Sequence, residues 1–158
     1  MLEIRELHVR FLNRDREAVA GVSLSIGNGD VLGLVGESGS GKTVTAMSVA
    51  GLLPRKQCDY SGAIFLDGVE LLHADREKLR RIQGKDIGVV FQEPQTSMDP
   101  LMKIGPQVEE VLRVHTKLSA EERRRMALEA MAAVELPEVE KVYEKYPTSS
   151  PAECFSGR

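Results

Sequence analysis

The octapeptide Gly36-Glu37-Ser38-Gly39-Ser40-Gly41-Lys42-Thr43 constrains this chain more than any other stretch. It has the spacing G-x-x-x-x-G-K-[ST], and its flanks give that spacing meaning. Residues 31–35 form an apolar run of strand character, and residues 44–50, beginning at Val44, suit a helix. A strand, a glycine-rich turn and a helix in that order build a concave cradle of backbone N–H groups for an anion, reinforced by the positive end of the helix dipole. In such a cradle Lys42 reaches the β- and γ-phosphates of a nucleotide, and the Thr43 hydroxyl holds Mg²⁺. A Gly/Ser-rich turn that only joins a strand to a helix would use the same residue types. The full spacing in this context makes nucleotide binding the leading expectation.

A chain of 158 residues can bury one sizeable core. Apolar residues at 42% and charged residues at 28% are globular proportions, and a net charge of -3 gives no nucleic-acid footprint. Cys58 and Cys154 stand far apart and outside any metal-ligand spacing, so both are expected to be free thiols of a cytosolic protein. No signal peptide is evident, and no run approaches the roughly 20 apolar residues that cross a bilayer. Membrane association would therefore come through a partner.

Taken in order, residues 2–11 alternate apolar and charged side chains as a half-buried strand with a slip near Glu6. Residues 13–17 read as a loop, 18–26 as a second strand, and 27–30 as a turn leading into the strand at 31–35, which is apolar enough for burial on both faces. The helix from Lys42 should stop near Gly51; a strand at 61–66 closes at Asp67-Gly68, and Asp75 caps a short helix ending at Gly84. Residues 87–91 read as a compact apolar strand running into Gln92 and a long irregular loop. Beyond it the pattern is helical. One face carries Ile104, Val108, Val111, Leu112 and His115; Ser119 with Glu122 makes a capping box; Leu128, Met131 and Val134 line the next helix. Pro137 is expected to open a third, with the stripe Val139, Val142, Tyr143 and Tyr146. The layout is a nucleotide-binding part over residues 1–95 and a helical part over 96–158.

Several of these landmarks agree in order and spacing with one family. The phosphate loop, Val89-Val90-Phe91-Gln92-Glu93-Pro94 in the place of a Q-loop, Gln95-Thr96-Ser97-Met98-Asp99-Pro100 after it, and Tyr146-Pro147 near the end together resemble the ATP-binding subunits of ABC transporters, in the oligopeptide/dipeptide/nickel importer branch. The resemblance implies an α/β fold, a P-loop NTPase of ABC ATPase type in incomplete form: an antiparallel β subdomain, part of the parallel core sheet and an α-helical subdomain. It implies ATP and Mg²⁺ as cofactors, with Phe11 stacking on adenine and Gln92 touching Mg²⁺ or its water. It also implies transmembrane permease subunits and a second ATP-binding subunit as partners, at the cytoplasmic face of the membrane. Phe155-Ser156-Gly157 resembles the start of the signature Leu-Ser-Gly-Gly-Gln, with Arg158 where the second glycine usually stands.

Hydrolysis in this family also uses an apolar strand ending in Asp and Glu and a later histidine, and neither occurs within residues 1–158. No catalytic residue is therefore assigned here. Two functions stay open: the N-terminal part of a peptide-importer ATPase, and a nucleotide-binding or transporter-docking module that does not hydrolyse ATP. A small-molecule kinase fits less well, since the N-terminal sheet and the Gln92 loop stand where it would need a lid and an acceptor site. The chain alone is expected to be marginally stable, because strands 31–35 and 87–91 would keep unpaired edges.

Overall fold

In the computed structural model, residues 1–92 and 97–147 are described. They fall into two compact units, the first Met1–Gly88 and the second from Val89 onward.

The first unit is built on a four-stranded antiparallel sheet of order β2-β1-β3-β4, with β1 Leu2–Phe11, β2 Val19–Ile26, β3 Cys58–Leu66 and β4 Val69–Glu70. The slip near Glu6 is a bulge. Glu6 takes φ 43°, and the register shifts between Ile4 and Leu7, so Ile4, Leu7 and Val9 all point inward despite their uneven spacing. The bulge backbone is satisfied locally: Glu6 N–H donates to Ser23 Oγ at 2.9 Å, and that hydroxyl donates to Glu6 Oε1 at 2.8 Å. Gly62 of β3 passes the bulge at φ 93°, and a Cβ there would strike the carbonyls of Arg5 and Glu6. With Ile64, Leu71, Leu72 and Leu79 the inward residues make the core.

Two helices complete this unit. α1, Lys42–Val49, follows the phosphate loop; Thr45 and Ser48 are buried, their hydroxyls donating back to the carbonyls of Gly41 (3.0 Å) and Val44 (2.8 Å). α2, Arg76–Ile82, is capped by Asp75, whose carboxylate accepts from Lys78 N–H at 2.7 Å. Beyond α2, Gln83 Nε2 donates to the Ala50 carbonyl at 2.8 Å and ties down the end of α1. Cys58 is a buried free thiol, whereas Cys154 lies outside the described residues.

Two expected strands are absent. Residues 31–35 pair with nothing among the described residues and stand in solvent, Val31 98% and Val35 94% exposed. Residues 87–91 make a single parallel bridge, Gln83 to Ile87, and Val90 is 95% exposed. A strand is defined by its ladder, and without a neighbour an apolar run has neither hydrogen-bond partners nor a face to bury.

The second unit is helical: α3 Ile104–Val108, α4 Glu110–His115, α5 Ala120–Ala133 and α6 Val139–Glu144. Ile104, Ala127, Met131, Val142 and Tyr143 form its core. The Ser119–Glu122 capping box is present in both directions. The first expected helical face is divided at Glu109, leaving Val111 exposed. Val134 and Tyr146 are also exposed, and α6 begins after Glu138 at φ 47° rather than at Pro137. At both ends the apolar period outlasts the helix that would use it.

Candidate nucleotide site

The residues expected to meet a phosphate chain lie around the start of α1. Gly41 enters the helix at φ 89° and provides no side-chain cap, so the first-turn N–H groups of Lys42, Thr43 and Val44 have no side-chain acceptor at the helix start. Three open N–H groups at the positive end of a helix are an anion site in waiting.

Lys42 is held over the same loop. Its Nζ donates to the carbonyls of Gly36 and Glu37, each at 2.7 Å, and lies 3.3 Å from Ser40 Oγ. The acceptors are oxygens of the kind a polyphosphate presents, and they keep the ammonium solvated within the loop until a stronger anion competes. Ser40 N–H closes a turn onto Glu37 O at 3.2 Å, so the loop is shaped by its own backbone.

A cavity of about 560 Å³ opens beside the loop, lined by Phe11, Asn13, Arg14, Arg16, Glu17, Ala18 and residues 39–44. That size is within the roughly 300–1,000 Å³ range of small-ligand sites. Phe11, the last residue of β1, is half-buried and packs on the sheet core while also lining the cavity. It can present a ring edge or face to a base without leaving the core. Thr43 is exposed at the mouth of the loop.

The cavity thus brings Phe11, Gly39, Ser40, Gly41, Lys42, Thr43 and Val44 together. Gly36 and Glu37 serve the site through the carbonyls that hold Lys42, and Ser38 is exposed at the tip. Gln92 is exposed and belongs to the second unit. Ser156 and Gly157 lie outside the described residues, as do Glu93, Pro94, Gln95 and Thr96 of the expected Q-loop region. Motif reading missed the rest of the cavity lining: Asn13, Arg14, Arg16 and Glu17, read only as a polar loop. Their charge and their place directly after Phe11 were the available signal.

The residues present fit an ATP–Mg²⁺ ligand: uncapped N–H donors and Lys42 for phosphate oxygens, Thr43 for the metal, Phe11 for the base. Among the described residues no group of three His, Cys, Asp or Glu side chains could hold a metal by itself. Thr43 would be the residue of this unit to hold a magnesium ion, a small hard cation that commonly binds through one or two protein groups plus substrate phosphates.

Residues 19–156 match the family model described as ABC transporter. The probable D,D-dipeptide transport ATP-binding protein DdpD of Escherichia coli (strain K12) is 40% identical over 150 residues, covering 93% of this chain and 46% of that protein. The oligopeptide transport ATP-binding protein OppD of Bacillus subtilis (strain 168) is 36% identical, covering 93% and 42%. The chain therefore spans about half the length of these curated relatives. Among solved structures, the dimeric post-hydrolysis state of the ATP-binding cassette MJ0796 bound to ADP and Pi superimposes with a TM-score of 0.78 at 27% identity, covering 93% of this chain and 62% of that one. With a family match across most of its length and the ABC ATPase fold, the chain belongs to the ABC transporter family.

Proposed function

We propose that this chain carries the phosphate-loop half of the ATP site of a peptide importer's ATP-binding subunit. The observation that carries the reading is the uncapped start of α1 with Lys42 held by its loop, lining one cavity together with Phe11. Lys42 and the first-turn N–H groups hold the β- and γ-phosphates, Thr43 the magnesium, and Phe11 the adenine. Gln92 serves as the glutamine that senses the γ-phosphate, and Ser156 and Gly157 contribute to the signature. Residues 1–95 form the nucleotide-binding part and 96–158 the helical part. The relatives' names support peptides as the solute, and the dimeric cassette of known structure supports a second ATP-binding subunit as partner. Transmembrane permease subunits would complete the transporter, with this chain peripheral at the cytoplasmic face. No helix among the described residues is long and apolar enough to cross a membrane. In the complete protein, ATP binding and hydrolysis would drive transport.

A second reading concerns turnover by this chain alone. Among the described residues lining the cavity, the one carboxylate is Glu17, and its Oε2 meets His8 Nδ1 at 3.1 Å. An engaged carboxylate favours binding without hydrolysis. ATP titration and phosphate release, measured separately on the 158-residue chain and its Lys42→Ala variant, test both readings. We expect Mg²⁺-ATP binding that weakens by roughly tenfold or more on losing the Lys42 charge, with no phosphate release. Equal binding by the variant would sink the site; release by the pure chain would sink the non-hydrolysing reading.

A further inference from the structure

The loop between β1 and β2 lines the cavity together with the phosphate loop, and its course is informative. It leaves β1 at Phe11, where a base would stack, and re-enters the sheet after Ala18, whose carbonyl lies against Gly41. A nucleotide stretched from Phe11 to Lys42 therefore has to run alongside residues 12–17.

That loop carries Arg14 and Arg16, both exposed and both lining the cavity. Among the described residues neither side chain has an ion pair or hydrogen bond. Arg5 and Arg10 on the adjacent strand, in contrast, are each paired, with Glu3 (2.7 Å) and Asp59 (2.8 Å). Lys42 is likewise satisfied by its own loop. The uncommitted cations facing this cavity are the two arginines. Of the two anions in this loop, Glu17 is turned to His8, and Asp15 lines a different cavity together with His8, Arg10 and Asp59.

From this arrangement we infer that Arg14 and Arg16 are nucleotide-binding residues: a cationic lining beside the phosphate loop that draws the polyphosphate in and holds it. The inference deepens the ATP-site reading and rests on it. Electrostatics supply the reason for such a lining. The chain as a whole is negative, at -3, so its long-range field disfavours a polyanion, and a local pair of guanidinium groups reverses the sign where the ligand enters. Guanidinium forks also match phosphate oxygens two at a time, which an ammonium does not. By their order in the loop, Arg16 lies two residues from Ala18 and so toward the phosphate end, and Arg14 three residues from Phe11 and so toward the ribose.

The test is ATP affinity of the 158-residue chain, at low and at high salt, for Arg14→Gln/Arg16→Gln, Arg14→Lys/Arg16→Lys and Lys42→Ala. Glutamine keeps length and polarity but removes charge, and lysine keeps charge. We expect the glutamine pair to lose about tenfold in affinity at low salt and the lysine pair only about threefold or less. The salt dependence of binding should also be shallower for the glutamine pair, since fewer charges are left to screen. If the glutamine pair binds like the wild type, or the lysine pair falls as far as the glutamine pair, the inference is overturned. Retention of the Lys42→Ala defect in that case leaves the ATP site standing, whereas its absence overturns both.

Discussion

Gly41 turns the chain into α1 directly against the carbonyl of Ala18, so close that a Cβ at position 41 would collide with that oxygen. The contact joins the phosphate loop to the start of β2, and it works only because Gly41 adopts φ 89° and has no side chain. Gly41→Ala should therefore fail twice. The left-handed conformation costs an alanine roughly 1–2 kcal/mol, and relief of the collision must push the loop and Ala18 apart. The expected result is a lower denaturant midpoint together with ATP affinity reduced at least as far as in Lys42→Ala. A variant with wild-type affinity would show that the contact does not shape the cradle.

The unpaired apolar runs make the opposite prediction. By composition Val31, Val35 and Val90 look like core residues, yet each is over 90% exposed. Substituting serine at any of them should change the unfolding free energy of this chain by no more than about 0.5 kcal/mol. Ile64→Ala, at a fully buried position between β1 and the core, should cost about 2–5 kcal/mol. Chemical denaturation of the four variants checks this, and a loss of about 2 kcal/mol at Val31 would mean that the segment is covered in solution. The same exposure predicts strong binding of an apolar dye to the wild type, decreasing in the serine variants.

These two cases mark where the sequence was readable. The bulge at Glu6 was legible because Ile4 and Leu7 are three apart in a strand of period two, a mismatch visible locally. Asp75 and the Ser119–Glu122 box were legible for the same reason, since a cap and its helix are contiguous. Residues 31–35 were not, because an apolar run reads alike whether or not a neighbouring strand exists, and pairing is a long-range fact. The division at Glu109 was hidden by an apolar period that continues across it. In the site, the glycine-rich turn into α1 was legible from its spacing and from the helical pattern after it. The Arg14–Arg16 lining was not, since which side of a loop faces a cavity depends on where its two ends are anchored.

In the helical unit, the Tyr143 hydroxyl donates to Glu109 Oε1, while Arg124 lies 4.2 Å over the Tyr143 ring and Arg123 Nε is 3.6 Å from Glu109 Oε2. Burial, and then the hydrogen bond to a carboxylate, push the Tyr143 hydroxyl above its ordinary value, with Arg124 acting the other way. A group whose pKa is raised by folding adds stability that is complete below its unfolded value, near pH 10 for tyrosine, and lost as pH rises through the folded value. Cys58, also raised by burial, contributes a loss of the same sign that begins at lower pH. The tyrosine part is therefore read from the difference between wild type and Tyr143→Phe. At neutral pH the variant should be about 1 kcal/mol less stable, having left Glu109 without its donor. Above about pH 10 that gap should narrow, because the tyrosine of the unfolded chain then ionises while the folded one stays protonated toward Glu109. Urea titrations across the alkaline range measure it directly, and a gap independent of pH would show that the hydroxyl's contribution does not depend on its proton toward Glu109.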